Sequence, residues 1–442
     1  MTGTGATDAG ATDAGATDTG ATDTNATVAG ATDTESGGAA QGVAGTVIVG
    51  AGLGGIRVAE GLRSNGYQAP VTLIGVEPHP PYDRPPLSKS VLVGKDDRVD
   101  LKPAEFYGES TIDLRLGRRV VAIDPEQHTV TVVAVDSPDD VHETIRYDTA
   151  VLATGLRPRL LPGVADDLAG LHVVRTIDDA LTLRSELAAA STAVVIGAGF
   201  IGCEVAATLT GHDIAVTLVE PAPTPLAAAL GTEIGALVGR LLSDNGVTVA
   251  TGVGVTEVVD DGTRVTGVRL DDGRELQADL VVVGIGSVPV TEYLEGSGVE
   301  LAPREAGGGI ACDGHGLTSA ADVYALGDVA SWRDDDGVQR RVEHWNHTVD
   351  QAAVVAHRIA GGDPMTANVP YFWSDQFGLK IQMLGDPRPT DTVHIVDDDG
   401  RKFLAYYSRD GILTGVIGAG KVGAVMKTRP KLQAPTPIAE LL

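Results

Sequence analysis

Two rhythms of hydrophobic and polar positions alternate along this chain. Short, nearly uninterrupted apolar runs, TVIV from Thr46 and VTLI from Val71, read as strands buried on both faces. Between them, IRVAEGLRSNGY spaces its apolar positions as a helix does and stops near Gly66. The same order recurs: TAVVI from Thr192 runs into GAGFIG, small residues from Cys203 to Gly211 read as a helix, and AVTLVE follows. A strand, a glycine turn, a helix and a strand ending in Glu thus appear twice, with Gly50 and Gly197 in corresponding places. Such alternation predicts parallel sheets covered by helices, an α/β fold.

The two turns carry the same spacing. The first is Gly50-x-Gly52-x-x-Gly55, enclosing Leu53 and Gly54, with Glu77 expected to close the second strand. The second is Gly197-x-Gly199-x-x-Gly202, enclosing Phe200 and Ile201 and closed by Glu220. One glycine makes the tight turn, one lets the backbone approach a pyrophosphate, and one lets helix and strand pack closely. The helix N-terminus then receives the negative charge and the acid binds ribose hydroxyls. Two such units imply two dinucleotides on two Rossmann-like domains. At the second, Glu220 repels a 2′-phosphate and the following PAPTPLAAAL supplies no arginine to neutralise one, so a dinucleotide without that phosphate is expected there.

Composition narrows the partners. A net charge of −27 argues against nucleic acid and against an anionic membrane surface, both of which need clustered cations. No apolar run approaches the ~20 residues that span a bilayer. The first basic residue is Arg57, and the only cysteines, Cys203 and Cys312, suit neither a disulfide framework nor a metal site. A cytoplasmic enzyme is expected. Residues 5–34 are six tandem pentapeptides of the GATDA type, with almost nothing to bury, so 1–43 is expected to be a low-complexity tail.

Several further stretches remain: PYDRPPLSK at 81–89, VLATGLRPR at 151–159, YALGDVA around Asp328, VEHWNHTVDQA at 342–352 and YFWSDQFGLKIQMLG at 371–385. With the two turns, these resemble the two-dinucleotide flavoproteins typified by glutathione reductase. More closely, they resemble the ferredoxin reductases that serve bacterial oxygenases, the rhodocoxin reductase and putidaredoxin reductase family. The disulfide reductases carry a CxxxxC pair after the second strand, and the NADH peroxidases a single cysteine; here Ser88 and Lys89 stand instead.

The resemblance implies FAD on the first turn. Glu77, Arg84, Pro85, Lys89, Val120, Ala153, Thr154, Gly155, Arg157, Asp328 and Trp345 would join the turn residues there. It implies NADH on the second turn, with Glu204, Gly284, Ile285 and Gly286 added to Glu220. Lys89, at the start of a following helix, would stand beside the flavin N5 edge, paired with Glu204. Arg84 would satisfy FAD phosphate or ribose oxygens. Pro85 and Pro86 are expected to force extended geometry before them and to stiffen the loop. The implied domains are FAD-binding at 44–157 and 283–362, NAD-binding at 158–282, and an α+β domain at 363–442.

The implied function is electron transfer from NADH through FAD to a [2Fe–2S] ferredoxin feeding a cytochrome P450 or a ring-hydroxylating dioxygenase, by a monomer or weak dimer with no metal of its own. A rubredoxin reductase and an NADH oxidase are alternatives on the same scaffold. A third is a non-catalytic flavoprotein resembling apoptosis-inducing factor, whose DNA binding needs a basic surface. Because ferredoxins are acidic, docking on so acidic a chain calls for a local basic patch. Arg340 with Arg341, or Lys421, Lys427, Arg429 and Lys431, are the candidates, and Trp373 is expected near the acceptor face.

Overall fold

In the computed structural model, residues 44–137, 142–164, 168–334, 336–365 and 368–442 are described. The pentapeptide segment lies outside them. Strand β1 (Thr46–Val49) enters helix α1 (Leu53–Ser64) through the first glycine turn, followed by β2 (Val71–Ile74), β3 (Ile112–Arg115) and β4 (Thr149–Leu152). All four residues of β1 are buried, as a strand covered by helices on both faces requires. A three-stranded antiparallel sheet of Arg118–Asp124, Thr129–Ala134 and Glu143–Arg146 stands between β3 and β4.

The second unit repeats the plan with β5 (Leu171–His172), β6 (Thr192–Ile196), helix α2 (Phe200–Thr210), β7 (Ala215–Glu220), helix α3 (Ala227–Asp244), β8 (Thr248–Thr251) and β9 (Leu280–Val283). Its strands lie in the order β8-β7-β6-β9-β5, all parallel. The chain then returns: β10 (Val323–Ala325) pairs with β4 and completes a first sheet of order β10-β4-β1-β2-β3, also all parallel. Helix α4 (Trp345–Ile359) lies on α1, where a Cβ added at Gly61 would fall 2.7 Å from Ala356 Cβ. Only a glycine allows the two helices this approach.

The last eighty or so residues build an antiparallel sheet from β11 (Tyr371–Gln376), β12 (Leu379–Gly385), β13 (Thr392–Asp398), β14 (Phe403–Arg409) and β15 (Ile412–Ala419), in the order β11-β12-β15-β14-β13. Phe403, Tyr407 and Ile417 of this sheet share one core with Leu209 of α2 and Val238 of α3. Burying each such side chain contributes on the order of 2 kcal/mol. Tyr407 also donates from its hydroxyl to Leu230 O at 2.9 Å. The C-terminal sheet is therefore fused to the second unit.

Two local expectations change. Strand β2 stops at Ile74, so Glu77 lies beyond its end, whereas Glu220 is the last residue of β7. Past β2 the chain stays tied to the β3 side, the Gly75 N–H donating to Arg115 O and the Glu77 carbonyl accepting from the Gly117 N–H. The residue before Pro85 is not extended: Arg84 has φ −84° and ψ −33°, and Pro85–Ser88 form a 3₁₀ turn. A first-turn proline has the φ a helix needs and lacks only an N–H that would be unpaired there, so helix initiation overrides the pre-proline preference. Lys89 accordingly ends this turn and starts no helix.

Candidate functional site

The two glycine turns superimpose in their constraints. Gly50 and Gly197 have φ of 115° and 95°, and a Cβ on either would sit 2.2 Å from Ala153 O or 2.4 Å from Gly284 O. These contacts set Ala153 and Thr154 after β4, and Gly284 and Ile285 after β9, against the turns, whereas Gly155 and Gly286 face Arg175 and Arg159. Gly52 and Gly199 face open space, with nothing within 4 Å of an added Cβ. Each caps its helix without a side-chain hydrogen bond, and neither first turn holds an acid. The free N–H groups and the positive end of the helix dipole face that space, so both turns fit a pyrophosphate.

The acids are held differently. Glu220 accepts from the Ala198 N–H at 2.7 Å and from the Ala222 N–H at 2.9 Å, which fixes it beside the second turn. Glu77 accepts from Tyr82 Oη at 2.5 Å and from Arg84 Nη2 at 2.7 Å. Arg84 also donates to Arg175 O at 2.5 Å, so its donors are largely engaged within the protein. Asp328 follows Gly327, whose φ is 72°, and lies 3.8 Å from Arg175 Nη2. Burial pushes its carboxyl upward, opposed by Arg175. Arg157 is exposed and paired with Glu292, and Val120 is packed into the core of the first unit. Trp345, the first residue of α4, donates from Nε1 to Asp83 Oδ1 at 2.7 Å, while burial raises the Asp83 carboxyl.

The structure brings Lys89 and Glu204 together, the latter on the helix that follows the second turn. Lys89 Nζ lies 2.5 Å from Glu204 Oε2, with the carboxylate 4% exposed and the lysine 22%. Ser88 Oγ donates to the same oxygen at 2.7 Å. Two further donors come from β11: Ser374 Oγ at 2.7 Å and the Asp375 N–H at 3.4 Å, both to Oε1. Four donors to one carboxylate offset part of the cost of burying it. Three parts of the chain therefore converge on one carboxylate.

Strand alternation gives β11 two distinct faces. Phe372, Ser374 and Gln376 lie on one side, where Phe372 packs against Phe200 and His344 with ring centroids 4.2 and 4.9 Å away. On the other, Trp373 stacks with Tyr371 and meets Trp345 edge-on, both at 6.0 Å. The quoted stretch YFWSDQ already carried this alternation, and its buried Ser374 and Gln376 are the polar residues a sequence reading passes over.

Both cysteines are buried and free. Burial pushes both thiols upward, and Cys203 Sγ lies 3.6 Å from Ala198 O. The expected basic clusters are largely neutralised: Arg340 pairs with Asp334 and Asp386, Arg341 with Glu343, Lys421 with Asp397 and Lys431 with Glu440. In a chain with 60 acids and 33 cations, a clustered cation finds an acid close by. Among the described residues, only Lys427 and Arg429 of these six have no acidic partner. No described helix is long and apolar enough to cross a membrane.

Two glycine turns that each fit a pyrophosphate, with a lysine paired to a glutamate of the helix after the second, suit a redox protein built around two dinucleotides. Residues 45–352 match the pyridine nucleotide-disulphide oxidoreductase model, and 371–440 match the reductase C-terminal model. The chain belongs to the pyridine nucleotide-disulphide oxidoreductase family, whose NAD-dependent ferredoxin reductases are FAD flavoproteins. It is 37% identical to rhodocoxin reductase of Rhodococcus erythropolis, over 79% of this chain and 80% of that one. To the ferredoxin reductase component of chlorobenzene dioxygenase from Cupriavidus sp. (strain PS12) it is 38% identical, over 77% and 80%. The crystal structure of the ferredoxin reductase for the CYP199A2 system of Rhodopseudomonas palustris aligns at a TM-score of 0.82 with 35% identity, covering 89% and 96%.

Proposed function

We propose that this chain is an NADH:ferredoxin reductase of an oxygenase system, taking electrons from NADH through FAD to a [2Fe–2S] ferredoxin that feeds a P450 or a ring-hydroxylating dioxygenase. The carrying observation is the Lys89–Glu204 pair, in which the segment after Glu77 that carries thiols in the disulfide reductases instead sets a lysine on a buried carboxylate of the helix that follows the second glycine turn. FAD, when bound, would supply the essential chemistry, a carrier able to take a hydride's two electrons and pass them on singly, as a one-electron acceptor requires.

The protein supplies position and charge. Gly52 and the first turn of α1 would hold the FAD pyrophosphate, Glu77 the ribose hydroxyls, and Asp328 with Arg175 the far end of the same groove. Gly199, the first turn of α2 and Glu220 would hold NADH. Lys89, held in place by Glu204, offers a fixed positive charge to negative charge developing beside it. Trp345 and Trp373 present an aromatic surface to the acceptor side. Cys203 and Cys312, buried and unpaired, suit a cytoplasmic protein that exchanges no disulfide.

The purified protein should be yellow, and anaerobic NADH should bleach it far faster than NADPH. The reduced protein should then transfer electrons to a [2Fe–2S] ferredoxin. Bleaching without transfer to any [2Fe–2S] ferredoxin, but with transfer to a rubredoxin, would reassign the acceptor.

A further inference from the structure

Glu204 divides its carboxylate between two parts of the fold. Oε2 serves Ser88 and Lys89 at the 3₁₀ turn, and Oε1 serves Ser374 and Asp375 of the C-terminal sheet. Ser374 is fully buried. Its hydroxyl accepts from Gln376 Nε2 at 3.2 Å, and Gln376 is itself 1% exposed. A serine hydroxyl has one proton to give. With Gln376 donating into its lone pair, that proton is directed at Glu204.

We propose that Ser374 is a positioning residue, which fixes the rotation of the Glu204 carboxylate and through it the place of the Lys89 ammonium. This rests on the reductase reading above. Without the hydroxyl, Oε1 keeps only the long Asp375 contact in a site closed to water. A carboxylate so exposed to an apolar wall turns both oxygens toward Ser88 and Lys89, and the ammonium follows it. The C-terminal sheet thus acts on the hydride-accepting side of the protein although none of its residues belongs to either glycine cradle. The flanking Phe372, wedged between Phe200 and His344, holds β11 in register for this contact.

The test uses the FAD-loaded full chain with Ser374→Ala and Ser374→Thr. Ser374→Ala should lower the limiting rate of flavin bleaching by NADH about ten-fold, the effect of one lost hydrogen bond to a charged group. The KM for NADH should change less than about two-fold, because the second cradle is untouched. Ser374→Thr keeps the hydroxyl and should restore most of the rate. In a Lys89→Met background, Ser374→Ala should produce no further loss. Hydrogen exchange gives a readout apart from activity: the Lys89 and Val91 amides, both bonded to Pro86 O, should exchange faster in Ser374→Ala than in Ser374→Thr. An unchanged limiting rate in Ser374→Ala, a Thr variant as slow as the Ala variant, or additive loss in the Lys89→Met background would each overturn the proposal. Wild-type protein that NADH does not bleach would sink the reductase reading instead, so the two failures are distinct.

Discussion

Replacing Glu204 with Gln keeps the shape of the side chain and removes its charge. At 2.5 Å, the Lys89–Glu204 pair has an attraction of about 6–7 kcal/mol for an effective dielectric of about 20. Desolvation of a carboxylate only 4% exposed takes back much of this, so Glu204→Gln should cost about 3 kcal/mol of stability. The two single variants should not be equal. Glu204→Gln leaves the ammonium only neutral acceptors in contact, among them Pro85 O at 3.1 Å and Ser88 Oγ at 3.4 Å, with the Asp83 carboxylate acting from further off. Lys89→Met leaves the carboxylate three donors, from Ser88, Ser374 and Asp375. Lys89→Met should therefore cost less, about 1–2 kcal/mol. A double-mutant cycle with Lys89→Met/Glu204→Gln, read by thermal and urea unfolding at one fixed FAD concentration, should give a coupling of about 1–2 kcal/mol. Additivity within about 0.5 kcal/mol would mean that the two charges are neighbours without being energetic partners.

Glu220→Arg should narrow the preference for NADH over NADPH by about ten-fold or more, measured as the ratio of kcat/KM values; unchanged selectivity would show that the ribose acid is elsewhere. Burial holds His344 well below its usual value, at about 4, with the nearby His347 charge acting in the same direction. Its folded value is depressed, so the unfolded chain binds the extra proton, and stability is complete above about pH 6.5 and lost as pH falls toward 4. The full loss is about 3 kcal/mol. Melting temperature followed from pH 7.5 to 4.5 should fall less steeply for His344→Gln than for wild type; parallel curves would remove His344 as the cause.

What could be read from the sequence follows the range of the interaction responsible. The glycine turns were legible because they depend on backbone conformation within a few residues, and Glu220 because its strand ends where the apolar run ends. The contact between Lys89 and Glu204, 115 residues apart, came only from resemblance, since neither side chain advertises the other. Ser374, 170 residues from Glu204, carried only the weak signal of a small polar residue on the inward face of a strand. Arg84 was misread because two proline rules compete there, and turn initiation wins once Pro85 occupies its first position. The basic clusters were misjudged because a run of cations says nothing of the acids that folding sets beside them: Asp386 reaches Arg340 from 46 residues away.

The closing position of β10 gives the molecule an order of birth. On the ribosome, β4 emerges with one edge open, and its neighbour begins at Val323, 171 residues after Leu152 (323 − 152). At roughly 5–20 residues per second, that edge waits on the order of ten to thirty seconds. Within that interval every strand of the second sheet, from Leu171 to Val283, leaves the tunnel and can pair with its own kind. Asp328 and Trp345 arrive later still. The groove opened by the N-terminal glycine turn is therefore begun first and finished after the unit inserted into it.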